Sequence, residues 1–117
     1  SDNKPLVKYK LAIAYGLDGQ YAVAIQLLEE VKSLYPDSVV VYSKLGWANT
    51  LAGNYRQAIS YYNQALVIDP TDLFSLFELG KFYWISGDKP RAEKYFERIE
   101  KHDLLGGYIL KLKAYNL

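Results

Sequence analysis

The chain has no cysteine, no methionine and a single histidine, His102. Without thiols there is neither a disulfide framework nor a thiolate metal site, and the redox compartment stays open, cytosol and periplasm both being compatible. One imidazole rules out a multi-histidine metal centre, and no metal or other cofactor is expected. Long apolar runs are missing as well. None approaches the roughly 18 residues that a spanning helix needs, and SDNKPLVKYK at the start carries no signal-peptide pattern, so a soluble domain without direct membrane insertion is expected. Because the chain has no methionine, not even at position one, Ser1 is expected to follow a tag, a processing site or a truncation. An excess of one charge is also lacking: 14 Lys and Arg stand against 13 acidic residues. Neither sign forms a block, so nucleic acid is not an expected partner.

What is present is apolar. Half of the 117 residues are hydrophobic, enough for one domain with a real core. No catalytic constellation accompanies them, and an enzyme is not expected. His102 sits where it serves as a cation at a helix C-terminus. Glu29 and Glu30 are sequence neighbours that point different ways on a helix. The charged run PRAEKYFERIEKHD reads as a solvated helix face, with Glu97 and Lys101 four apart, and Asp88 before Pro90 reads as a helix start.

A repeat organises the rest. Gly19, Gly53 and Gly87 are 34 apart, as are Ala24, Ala58 and Ala92, and Leu11, Leu45 and Leu79, while Pro36 and Pro70 share the step. Each unit reads as two helices. In the middle unit Tyr42, Leu45, Gly46 and Asn49 follow one helical face until AGN breaks it; Ala58, Tyr62 and Ala65 then mark a second helix that stops at IDPTD. Short loops make each pair an antiparallel hairpin. Gly46 and Gly80 allow close helix approach, with the recurring Ala of the second helix expected to receive the aromatic of the first. Gly106 and Gly107 are expected to interrupt the pattern before YILKLKAYNL. In that tail Tyr108, Leu112 and Tyr115 share a helical stripe, whereas Leu110, Leu112 and Ala114 also alternate like a strand; a helix is the favoured reading.

These residues resemble the tetratricopeptide repeat, whose 34-residue pattern places an aromatic, then Leu-Gly, then Tyr, later Ala and an aromatic, and a closing Pro. Residues 39–72 match best, through Tyr42, Leu45, Gly46, Ala58, Tyr62 and Pro70, with Asn49 where Tyr is usual. Residues 5–38 keep Leu11, Tyr15, Ala24 and Pro36 but have Lys8 and Ala12 for the aromatic and Gly. Residues 73–106 keep Leu79, Gly80, Tyr83, Ala92 and Phe96 but have Leu104 for Pro. The resemblance implies an all-α, right-handed superhelical stack of three such hairpins in a single domain, followed by a capping helix over 107–117.

It also implies a concave groove lined by the first helix of each repeat. Carried over, the groove places hold Leu6, Tyr9, Lys10, Ile13, Gly16 and Leu17 in the first repeat, Val40, Ser43, Lys44, Trp47, Thr50 and Leu51 in the second, and Phe74, Phe77, Glu78, Lys81, Trp84 and Ile85 in the third, with Tyr9, Ile13, Lys44, Trp47, Phe74, Phe77, Lys81 and Trp84 as the candidate site. Tyr83 is assigned to the core on the opposite face. The carboxylate clamp of chaperone-tail binders in this family falls on Tyr9, Ile13, Lys44, Phe74 and Glu78, of which only Lys44 is basic, so acidic chaperone tails are not expected ligands. The asparagine ladder of glycosyltransferase arrays is replaced by Lys10, Lys44 and Glu78. The expectation is a non-catalytic adaptor that takes a peptide or helix of another protein, apolar or aromatic with some acidic character. The alternative is a structural module that forms homo-oligomers.

Overall fold

The structure, a computed structural model, describes residues 4–116, with the side chains of Leu104 and Tyr108 also outside the description. The described residues form α1 (Lys4–Leu17), α2 (Tyr21–Leu34), α3 (Val39–Leu51), α4 (Tyr55–Ile68), α5 (Leu73–Ile85), α6 (Lys89–His102) and α7 (Leu104–Tyr115), and none of them is in a strand. Two compact units result, Ser1–Ile68 with α1 to α4 and Asp69–Leu117 with α5 to α7.

The 34-residue step is built from one turn used three times. Gly19, Gly53 and Gly87 have φ of +84°, +81° and +94°, the left-handed conformation that glycine adopts without a Cβ clash. This conformation lets the next N–H reach back and close the preceding helix: Gln20 to the Tyr15 carbonyl at 2.9 Å, Asn54 to Asn49 at 2.8 Å and Asp88 to Tyr83 at 2.9 Å. The following helix starts at once. Asp88 caps α6 by accepting from the Arg91 N–H at 3.3 Å, with Pro90 in the first turn, as its sequence implies. Between hairpins, Ser38 accepts from the Val41 N–H at 3.3 Å and Asp72 from the Ser75 N–H at 3.3 Å. In IDPTD the Asp69 carboxylate accepts from the Thr71 hydroxyl at 2.7 Å and the Thr71 N–H at 3.0 Å, and these bonds hold its pKa below the usual range.

The second and third hairpins are closed where the expected glycines allow close approach, with the aromatic on the second helix and the glycine on the first. A Cβ on Gly46 would stand 2.4 Å from the Tyr62 ring, and one on Gly80 would stand 2.6 Å from Phe96. In the first hairpin the corresponding residues are Ala12 and Leu28, both fully buried, so the extra methyl on one side is matched by a smaller side chain on the other. The core of the first unit gathers Ala12, Leu28, Val31, Val41, Leu45 and Ala48, drawn from α1, α2 and α3. Asn49 is buried where Tyr is usual because its polar atoms are satisfied: its amide donates to the Leu45 carbonyl at 2.8 Å and its oxygen accepts from Asn54 at 3.3 Å. Glu29 accepts from the Tyr61 hydroxyl and pairs with Lys32 at 2.8 Å, while Glu30 pairs with Lys8 at 3.8 Å, so the two acids are engaged separately.

In the second unit α7 packs on α6 and α5. The Gly106–Gly107 pair does not interrupt this helix, contrary to the sequence reading, because the helix starts earlier at Asp103, whose carboxylate accepts from the Gly106 N–H at 2.9 Å. Gly107 is then what lets α7 lie against α6, since a Cβ there would be 2.8 Å from the Glu100 backbone. Lys111 sits 3.0 Å from Glu93 and 3.5 Å from Glu100, and the Tyr115 hydroxyl donates to Glu93. Burial alone would raise the Glu93 pKa, but these hydrogen bonds outweigh it and lower it, and the bond to Glu93 raises that of Lys111.

Candidate partner-binding site

In the first unit, α1 and α3 bring four of the expected residues to one region. Tyr9 and Trp47 are half-buried and pack against the core from its edge. The Trp47 ring lies over α1 at Gly16, where an added Cβ would be 2.6 Å from Cη2, so glycine at that place is what admits the indole. Lys44 holds its ammonium 5.6 Å from the Trp47 ring, a cation over an aromatic face. Ile13, one helical turn beyond Tyr9, is half-buried. Burial raises the Tyr9 pKa, which keeps its phenol neutral.

Beside Tyr9 opens an apolar cavity of about 260 Å³, lined by Pro5, Leu6, Val31, Tyr35, Val40 and Val41 together with Ser38. Its rim residues Leu6 and Val40 are 51% and 54% exposed. Tyr35 was not among the expected residues. It caps the end of α2, outside any helical stripe, so periodicity carried no signal for it.

In the second unit α5 carries the other four. Phe74 is 39% exposed. Phe77 is half-buried with the Lys81 ammonium 5.2 Å above its ring, and Lys81 also pairs with Glu78 at 3.2 Å. Trp84 is placed differently from Trp47. Its indole stacks on Tyr115 of α7 at 4.0 Å and 21°, and Lys89 stands 4.8 Å from the ring. A residue of this chain therefore covers one face of Trp84: Tyr115, which the sequence places on the stripe of the tail helix; Lys89 was not among the expected residues. Tyr83, assigned to the core by its register, is only half-buried and lies parallel to Tyr95 at 5.8 Å.

No group of three or more His, Cys, Asp or Glu side chains that could hold a metal occurs among the described residues, and no described helix is long and apolar enough to cross a membrane. Every buried side-chain polar atom among the described residues has a hydrogen-bond partner.

Comparison with known proteins fits this picture. Superkiller complex protein 3 of Homo sapiens is 28% identical over 94 residues, which is 80% of this chain and 6% of that protein. The photosystem I assembly protein Ycf3 of Rippkaea orientalis is 29% identical over 98 residues, 80% of this chain and 56% of that protein. The chain thus spans between a small fraction and about half the length of these curated relatives. Among solved structures, the Yersinia enterocolitica type III secretion translocator chaperone SycD, in an alternative dimer, superposes with a TM-score of 0.84 at 19% identity, covering 99% of this chain and 89% of that one, a likeness of fold. A family model described as tetratricopeptide repeat matches residues 5–71, more than half of the chain. With the thrice-repeated glycine turn and the glycine-to-aromatic closure of each later hairpin, that match establishes that the chain belongs to the tetratricopeptide repeat family.

Proposed function

We propose that this chain is a non-catalytic protein-binding module whose first helices receive a peptide or helix of another protein. The observation that carries the reading is the open apolar cavity beside Tyr9, edged by exposed Leu6 and Val40 and continued on the same pair of helices by Trp47 and Lys44. A cavity of that size accepts one large apolar side chain, and an aromatic flanked by an ammonium favours a ligand with an acidic neighbour to that side chain. On α5, Phe74, Phe77 and Lys81 supply the same kinds of contact, and Trp84 adds the part of its ring that Tyr115 leaves open. The names of the relatives support a role among proteins, since they attach those molecules to a complex, to the assembly of photosystem I and to a secretion translocator.

Because Leu6 and Val40 are exposed, their replacement separates binding from folding. The double variant Leu6→Ser, Val40→Ser is expected to unfold within about 0.5 kcal/mol of the parent, as surface changes do. It is expected to lose at least about 2 kcal/mol of partner affinity, the scale of a lost anchor. The measurements are denaturant unfolding and quantitative capture of partners by both chains. Unchanged capture would sink the reading.

A second reading, self-association, is favoured by one comparison within the molecule. Val41 and Leu45 are almost wholly buried, whereas Val7 and Leu11, 34 residues earlier on α1, are 51% and 44% exposed. The face that α3 covers in the core is thus open on α1. Sedimentation tests this reading, and a monomer at every accessible concentration removes it.

A further inference from the structure

Away from the first-helix faces, α5 and α6 enclose a second cavity of about 430 Å³, lined by Tyr83, Arg91, Lys94, Tyr95 and Arg98. Its floor is the parallel pair of tyrosine rings, and its walls are cations. The Arg91 guanidinium stands 4.9 Å from the Tyr83 ring and that of Arg98 stands 6.0 Å from Tyr95. Arg98 is anchored by donating to the Pro70 carbonyl at 2.9 Å, which fixes one wall. Among the described residues one carboxylate answers the three cations, Asp88, at 3.4 Å from Arg91. Of the acids of α6, Glu93 and Glu100 face α7, where Lys111 pairs with both, and Glu97 is exposed and forms no ion pair with these cations among the described residues.

The repeat shows that the fold does not require this charge. The residues 34 before Arg91, Lys94 and Arg98 are Gln57, Ser60 and Gln64, and those a further 34 before are Val23, Gln26 and Glu30. The same helical face is neutral in the middle repeat and carries no cation in the first. Charges placed at three, four and seven residue spacings on one face, over an aromatic floor, form a site for an anion attached to a flat or extended group.

We propose that this cavity is a second binding site, for an acidic segment of a protein partner, taking one oxyanion-bearing side chain, carboxylate or phosphate, between Arg91, Lys94 and Arg98 with its stem against Tyr83 and Tyr95. The site is independent of the first-helix face, and its failure leaves that reading intact. A Glu- and Asp-rich peptide, its phosphoserine counterpart, its Gln and Asn counterpart and a single-stranded oligothymidylate are titrated calorimetrically into the full chain. One or both acidic peptides are expected to bind, the neutral one not. Lys94→Glu and, separately, Arg91→Gln are expected to weaken that binding by at least about tenfold, as loss of a charge-assisted contact does. Lys101→Glu, the same charge change on an exposed residue of α6 outside the cavity, is expected to leave it within about twofold. The two acidic peptides distinguish carboxylate from phosphate as the preferred anion. The proposal is overturned if neither acidic peptide binds, if Lys101→Glu weakens binding as much as Lys94→Glu, or if the oligothymidylate binds more tightly than both peptides.

Discussion

Ala12 with Leu28, Gly46 with Tyr62 and Gly80 with Phe96 occupy equivalent places, so the chain carries its own record of how one contact tolerates exchange. Volume added to the first helix is withdrawn from the second. Gly46→Ala is therefore expected to cost about 1 to 3 kcal/mol through overpacking, more than the ~1 kcal/mol that alanine gains in helix propensity. Combining it with Tyr62→Leu rebuilds the Ala and Leu pair of the first hairpin. Urea unfolding of the two single variants and the double is expected to give a favourable coupling of about 1 kcal/mol or more, and strict additivity would mean the two side chains do not meet. At this scale the sequence was legible where a residue type has one job. The turn glycines and the capping Asp88 could be read directly. Tyr83 could not, because its register defines a helix face but not how much of that face is covered. Arg91, Lys94 and Arg98 looked like ordinary solvated charge until Tyr83 and Tyr95 were seen beneath them.

Elements were legible by period and misread at one boundary. A glycine pair resembles a break when nothing else is known. Here Asp103 supplies the start, and Gly107 is needed for the approach of α7 to α6. Asp103→Ala is expected to destabilise α7 by about 1 kcal/mol, the usual cost of losing a cap. The seat of α7 also depends on pH. Glu93 has a folded pKa below its ordinary value of 4.5, so its contribution is fully present above that value and is lost as pH falls through the lower folded one. Hydrogen exchange, corrected for its intrinsic pH dependence, is expected to show α7 losing protection below about 4.5 while α6 is retained. Glu93→Gln should remove that acid response, and an unchanged response in the variant would place its origin elsewhere.

For the whole molecule, the repeat step was enough to give the helix order. Cavities were out of reach because they depend on which side chains fail to meet. The wall residue Tyr35 lies at a helix end, where period carries little information. The open face of α1 yields the prediction that belongs to this scale. Should the chain form a dimer, Leu11→Lys is expected to shift sedimentation to the monomer with unfolding changed by less than about 1 kcal/mol, since Leu11 is already 44% exposed. A dimer that survives the change uses another surface.

Trp47 lies over Gly16 and Trp84 against Tyr115. Their distribution has an optical consequence. Each compact unit holds one indole, and the chain has no others. With Trp84→Phe the intrinsic emission reports the first unit alone, and with Trp47→Phe the second alone, once each variant's own stability is allowed for. Coincident emission transitions would show that the units melt as one cooperative body. Offset transitions would measure, without any attached dye, the free energy by which one unit outlasts the other.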